Sequence, residues 1–205
     1  MLPQTARLLT TFVLASLVTI GISILTDNDW SICETQSNCI VVPSFSQILT
    51  IFREAEHRKE EYDCLRDNIF FEARSESVRG QEAVALVTVA RSKNKHFPNS
   101  ICGVVHQGIV HNGIQVRNKC QFSWFCSKRP QRVNLDNKID QQAWIESGMV
   151  AQEVLSGQVK DFLGNATHYH TLKCHPFWAK AFRFKKLAIV GKHVFYRDSG
   201  LFHNS

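Results

Sequence analysis

Seven cysteines, all C-terminal to an uncharged apolar run from Leu8 to Leu25, constrain this chain more than any other feature. Arg7 precedes the run, and Asp27 and Asp29 follow it. The run is just long enough to cross a bilayer as a helix. Its positive flank predicts that residues 1–7 stay in the cytoplasm and that everything after residue 26 lies outside it. A cleaved signal peptide, which would release the chain as a secreted protein, is the competing reading, although no clear A-x-A-like site follows the apolar core. A buried soluble helix fits less well, because the run has no polar face at helical period. Outside the cytoplasm the cysteines stand where disulfides persist. Cys33/Cys39 and Cys120/Cys126 are near enough in sequence to close small loops, and Cys64 and Cys102 are candidates for each other, but connectivity stays open at this level. An odd count leaves at least one thiol free or paired between chains, and Cys174 is the expected one. Zinc competes for the same side chains, yet the chain contains no C-x-x-C.

At 205 residues the chain has room for one domain and an appendage. The expected division is a cytoplasmic tip and anchor (or signal peptide) over 1–26, a polar cysteine-bearing linker over 27–43, and a folded domain over 44–205. Apolar and charged fractions of 44% and 20% are those of a globular protein. A net charge of +6 suits an anionic partner: nucleic acid, anionic lipid or an acidic polymer. No Lys/Arg run exceeds two residues, so no nucleic-acid patch is expected. The sequence leaves oligomeric state open.

Periodicity predicts helices first and strands last. From Ser44 to about Glu76 the pattern reads as one long helix, or two with a break near Tyr62. Ser44 or Ser46 is the cap, and Phe45, Ile48, Leu49 and Phe52 recur at helical spacing. Leu65, Ile69 and Glu72 then share one face at i, i+4, i+7, which sets Glu72 at the edge of the buried stripe. Gly80 separates this helix from an apolar second one, Gln81 to about Ser92. A third runs from Pro98 to Gln107 with Val104 and Val105 inward. Residues 108–135 read as a long irregular loop. A fourth helix spans Asn137 to Ser156, with Gly157 as its C-cap. Segments 166–170 and 187–196 carry β-branched and aromatic residues without helical period and read as antiparallel strands, with a helical turn over Phe177 to Phe184 between them. The expected class is α+β, with a small antiparallel sheet last, behind an N-terminal membrane helix.

Three constellations could carry chemistry. Glu72 follows Phe70 and Phe71. Apolar surroundings raise a carboxyl pKa, as a general acid at neutral pH requires, while nearby Arg74 pulls it down. On a bland reading Glu72 is a surface residue of an amphipathic helix. Glu76, one turn on, would lie about 6 Å away at Cβ. A glycosidase pair must flank the bond being cut, which two carboxylates pointing the same way do not do easily, so Glu76 is expected to hold local structure near Arg74 or Arg79. The second constellation is Cys120-Gln-Phe-Ser-Trp-Phe-Cys126. Its aromatics suit pyranose faces, and Gln121 and Ser123 can bind hydroxyls or N-acetyl groups. Gln121, Phe122, Ser123 and Trp124 are the candidate binding residues there. For Phe122 and Phe125 a core-covering role fits equally well. The third is His168-Tyr169-His170. Either the two imidazoles bind zinc from one strand face, or they wall a cleft while Tyr169 turns to the core. No H-E-x-x-H is present, and no single Cys–His pair stands out as a nucleophile. The metal reading therefore ranks below that of a polar cleft wall.

Several of these segments, in this order, resemble the SleB-type cell wall hydrolases, a family that includes spore cortex-lytic enzymes. The pieces are CLRDNIFFEARSES, GQEAVALVTVARSKNKHFPNSICGVVHQ, CQFSWFC, ATHYH and GKHVFYR, together covering residues 64 to 197. The resemblance implies a small α+β domain related to lysozyme-like transglycosylases. It also implies cleavage of peptidoglycan strands between N-acetylmuramic acid and N-acetylglucosamine, in known cases as lytic transglycosylases without a cofactor. The family's catalytic glutamate falls on Glu72. The glycine of its E-A-R-G-E motif is Ser75 here, which would carry strain if the backbone there has positive φ. Two other classes remain to be discriminated: a membrane-anchored wall-binding module that does not depend on Glu72, and a zinc amidase that depends on His168.

Overall fold

The structure, a computed structural model, describes residues 22–24, 30–35, 38–127 and 132–201. By internal contacts the chain divides into two units, residues 1–57 and 58–205.

In the first unit, β1 (Ile22–Ile24), β2 (Trp30–Thr35) and β3 (Asn38–Val42) form an antiparallel sheet in that order. The segment read as a polar linker therefore carries two strands. Its β-branched and aromatic residues, Trp30, Ile32, Ile40, Val41 and Val42, suit an extended backbone better than a linker. Cys33 and Cys39 stand opposite each other in the β2–β3 register; whether their sulfurs are joined lies outside the described residues. The predicted membrane run, Leu8 to Leu25, also lies outside them except for Ile22–Ile24, which are strand. Among the described residues no helix is long and apolar enough to cross a membrane.

Helix α1 (Phe45–Ala73) is continuous, with no break at Tyr62. Ser44 caps it reciprocally with Gln47: the Gln47 N–H donates to Ser44 Oγ at 3.3 Å, and the Ser44 N–H to Gln47 Oε1 at 2.6 Å. Phe45, Leu49 and Phe52 are exposed, so the early apolar stripe faces solvent. From Cys64 onward the helix turns inward, burying Leu65, Ile69 and Phe70.

Helix α2 (Val78–Ser92) follows a Ser77 cap and is the central element of the second unit. Ala83, Val84, Ala85 and Val87 are all fully buried, as expected of a helix apolar nearly all round. It packs against α3 (Ile101–Val105), α4 (Lys138–Leu155) and, later, the sheet. Helix α3 starts at Ser100 rather than Pro98, because Ser100 Oγ accepts the Gly103 N–H at 3.0 Å. The Glu61 carboxylate accepts the Ile101 and Cys102 N–H groups at 2.6 and 3.2 Å, satisfying first-turn donors from a neighbouring helix. The Cys64–Cys102 disulfide closes the same junction.

Residues 108–120 are not the irregular loop expected but a hairpin of β4 (Gly108–His111) and β5 (Ile114–Cys120). Its turn is Asn112-Gly113, with φ of 51° and 75°. This is the Asn-Gly pair that fits the right-handed twist of paired strands. The Cys120–Cys126 disulfide staples its base.

The last sheet has the order β6 (His168–Thr171), β8 (His193–Asp198), β7 (Phe184–Val190), all antiparallel. Residues 187–196 are two strands that reverse at Gly191, where φ is +55°. Phe177–Lys180 forms the expected helical turn. Strand β8 is central, with Val194, Phe195 and Tyr196 buried.

Candidate active site

Glu72 lies in the last turn of α1, and the helix ends at Ala73. Burial pushes its pKa above the usual carboxylate range. A hydrogen bond from Tyr169 and the charge of Arg91 oppose that shift without cancelling it. Tyr169 Oη donates to Glu72 Oε2 at 3.1 Å. Burial raises the phenol's own pKa far out of reach, so it remains a donor at every working pH.

Because the helix stops, Glu72 and Glu76 do not share a helix face. Glu76 Oε2 accepts the Lys192 N–H at 3.0 Å, and Lys192 Nζ lies 3.5 Å from Glu76 Oε1 and donates to the Ser75 carbonyl at 3.2 Å. The motif's second acid thus fastens the end of α1 to the β7–β8 turn. Its partner is Lys192 rather than Arg74 or Arg79. Ser75 is not among the described positive-φ residues, so serine costs no left-handed strain there.

Glu72, Arg91, Gln121, Phe122, Tyr169 and His170 line a cleft of about 270 Å³, completed by Thr171, Cys174 and His193. A larger concavity, about 550 Å³, lies between α1 and α4, walled by Tyr62, Arg66, Trp144 and Met149. There the Arg66 guanidinium sits 4.0 Å over the Trp144 ring, so that aromatic face is already occupied. The smaller cleft is the candidate site, because its wall includes a carboxyl whose pKa burial raises.

The sequence candidates scatter around this cleft. Gln121 is exposed on its wall, and Phe122 is a core side chain that also forms wall. Ser123 is exposed but does not line it. Trp124 stacks on Phe71 at 4.6 Å and donates from Nε1 to Asn68 Oδ1 at 3.2 Å. It buttresses the helix turn that carries Glu72 and is not itself part of the cleft wall. Phe125 stacks on His106 at 4.1 Å.

The alternation expected along β6 is corrected. Tyr169, not His168, reaches the acid. A tyrosine body can pack in the core, here 5.7 Å from the Phe195 ring, while its hydroxyl seeks a polar partner. His168 sits against Phe184 and Trp178, at 4.9 and 5.5 Å, and burial pulls its pKa down to about 4. His170 does line the cleft and shares a 3.0 Å hydrogen bond with Tyr196 Oη. Among the described residues no group of three or more His, Cys, Asp or Glu is arranged to hold a metal ion. Four of the cysteines are engaged in Cys64–Cys102 and Cys120–Cys126, and Cys174 is free and exposed.

Arg91 escaped the sequence reading. For Arg91 a signal existed: it falls on the apolar stripe of α2, i+7 from Val84 and i+4 from Val87, where a cation has no place without a purpose. Its Nε donates to the Thr167 carbonyl at 2.7 Å.

The fold is α+β, and its cleft holds a largely buried carboxyl between a helix end and a small antiparallel sheet. A family model described as Cell Wall Hydrolase matches residues 75–196, more than half of the chain, and the protein belongs to that family. The match begins just after Glu72. Among solved structures, the catalytic domain of the Bacillus cereus SleB protein is similar at 21% identity over 67% of this chain and 91% of that one, with a TM-score of 0.40. The catalytic domain of the germination-specific lytic transglycosylase SleB from Bacillus anthracis is similar at 20% identity over 67% and 93%, with a TM-score of 0.42. No curated protein matches.

Proposed function

We propose that this cell wall hydrolase cuts peptidoglycan glycan strands between N-acetylmuramic acid and N-acetylglucosamine, as a lytic transglycosylase with Glu72 as acid and then base. One observation carries the reading: among the described residues that line the cleft, Glu72 is the sole carboxylate, and burial favours its protonated form. A two-carboxylate glycosidase needs a second acid about 5 Å away, or farther if it inverts. Glu76, the nearest in sequence, is committed to Lys192.

A single acid suffices when the substrate supplies the nucleophile. Glu72 gives its proton to the glycosidic oxygen as the C1–O bond breaks and positive charge develops at the muramic acid C1. The C6 hydroxyl of the same sugar attacks C1, and its proton passes to the Glu72 carboxylate. The products are a 1,6-anhydro end and a regenerated acid, with no water, metal or organic cofactor consumed. Tyr169 holds Oε2 and leaves Oε1 for the proton. Gln121 and His170 are polar side chains on the wall placed to meet the glycan.

The two disulfides support a site of action outside the cytoplasm. We place the domain there, tethered by the apolar run of residues 8–25 or released if that run is cleaved.

The Glu72→Gln protein should keep its circular dichroism spectrum and lose wall lysis by about 10²–10⁴-fold, the usual contribution of a general acid. Lysis retained by the variant rejects the assignment. Mass spectrometry of released muropeptides should find anhydro ends. Reducing ends would mean hydrolysis with a second acid. Wall binding without lysis, by wild type and variant alike, would mean a binding module.

A further inference from the structure

Between Asp161 and Asp198 the chain has no acidic residue, yet it carries seven Lys and Arg there. The whole chain has 24 Lys and Arg against 18 Asp and Glu, so its entire positive excess resides in this one stretch. Arg183 is paired with Asp198, and Lys192 with Glu76. Lys173, Lys180, Lys185 and Lys186 are exposed, and among the described residues no ion pair holds any of them. Lysines on an edge strand such as β7 would by themselves serve to discourage strand pairing. The phenylalanines beside them have no such use. Phe177 and Phe182 are 90% and 105% exposed, more than any other large apolar side chain among the described residues. They share residues 177–186 with Lys180, Lys185 and Lys186. Trp178, by contrast, is turned inward: its ring lies 5.0 Å from that of Phe184 and 5.4 Å from that of Tyr196. This packing anchors the 177–180 turn to the sheet, so the two phenylalanines flank a fixed turn while their rings stand in water.

We propose that the 177–186 segment docks the domain on an anionic lipid bilayer, with Phe177 and Phe182 entering the interface and Lys180, Lys185 and Lys186 meeting the lipid phosphates. A bilayer surface answers both halves of the patch. Aromatic rings settle at the boundary between headgroups and acyl chains, and neighbouring lysines are drawn to negative headgroups. Their long stems let the ammonium reach phosphate while the rings sit deeper. An acidic polymer in water uses the charge and leaves the rings wet, so the exposed phenylalanines favour the bilayer. The docking itself is independent of what the cleft cleaves. If the cleft cuts glycan, docking sets its wall, which includes Cys174 a short way before Phe177, beside the membrane and directs cutting to the nearest strands.

The test uses vesicles and no turnover. The full chain is co-sedimented with vesicles of phosphatidylcholine alone and of phosphatidylcholine with phosphatidylglycerol in equal parts. The apolar run of residues 8–25 enters either kind alike, so the ratio of the two affinities is the readout. Wild type should bind the anionic vesicles at least tenfold more tightly, since each lysine near a negative surface contributes roughly fivefold. Lys180→Glu/Lys185→Glu/Lys186→Glu should bring that ratio to about one. Phe177→Ser/Phe182→Ser should weaken anionic-vesicle binding at least fivefold. All five side chains are exposed, so these variants keep the fold, which circular dichroism checks. In Phe182→Trp, brominated lipid should quench the new tryptophan's emission. A wild-type ratio under twofold, binding unchanged in Phe177→Ser/Phe182→Ser, or an unquenched Trp at 182 would each overturn the docking surface. Polyglutamate bound as tightly as the vesicles, with the serine variant unaffected, would assign the patch to an acidic polymer and overturn it too. The Glu72→Gln protein should bind vesicles as wild type does, so failure of the enzymatic reading leaves this result standing.

Discussion

Glu72 is held between opposed influences, and one atom separates them. Replacing Tyr169 by Phe removes the donor to Oε2. That hydrogen bond lowers the pKa of Glu72 while burial raises it, so the variant's acid should titrate at higher pH than wild type. Since the acid must be protonated to act, the alkaline limb of the kcat/KM profile should move upward in Tyr169→Phe, with a loss of about tenfold or less on the plateau, the size of one ordinary hydrogen bond. A limb that stays or moves down would show that Tyr169 does not set the acid's titration. At this scale the sequence was half readable. A glutamate after two phenylalanines announces a carboxyl in apolar surroundings. What it cannot announce is its partners, Tyr169 and Arg91. They come from a strand and a second helix, and residue-level chemistry does not say which strand face meets which helix end. The inverted expectation for His168 and Tyr169 came from that gap.

Among the elements, the two reversals built on glycine make a comparison. Gly113, at the hairpin tip, has φ +75°, and a Cβ there would meet nothing within 4 Å; Gly191 has φ +55°, and a Cβ there would run into the Glu76 carboxylate. Gly113→Ala should cost about 1–2 kcal/mol, the left-handed penalty alone. Gly191→Ala should cost more, because it also dislodges Glu76 from the Lys192 N–H. Urea melts of the two variants check the order, and equal costs would show that the Glu76 contact adds nothing. The helices were legible because stripes and the Ser44 cap are local, but the second begins at Val78 behind a Ser77 cap, with Gly80 inside it and not before it. The hairpin was equally local and was missed. Its Asn-Gly signal stood inside a segment whose cysteines and aromatics suggested an irregular loop.

For the molecule as a whole, stability depends on covalent closure of long loops. Cys64–Cys102 spans 38 residues and Cys120–Cys126 spans 6. Chain entropy assigns them on the order of 4 and 2 kcal/mol respectively. The Cys64→Ala/Cys102→Ala pair should therefore lower Tm more than Cys120→Ala/Cys126→Ala, and reductant should bring wild type toward the first. The reverse order would mean that the small loop, not the helix junction, limits unfolding. The α+β order was readable at this scale because helix and strand periods differ and the long helices all precede the sheet of β6, β7 and β8. The pairing of residues 97 apart, Tyr169 with Glu72, was not. Nor was the strand content before Ser44, where short β-branched stretches among polar residues look like linker.

Cys174 is exposed, free, and part of the cleft wall. It therefore gives the experimenter a built-in gauge of occupancy. A thiol-specific fluorophore should react there quickly in the empty protein and several-fold more slowly once saturating sugar fills the groove, so alkylation speed, followed on a stopped-flow instrument, would report ligand arrival without any turnover. An alkylation rate indifferent to sugar would mean that the glycan runs along the other side of the acid.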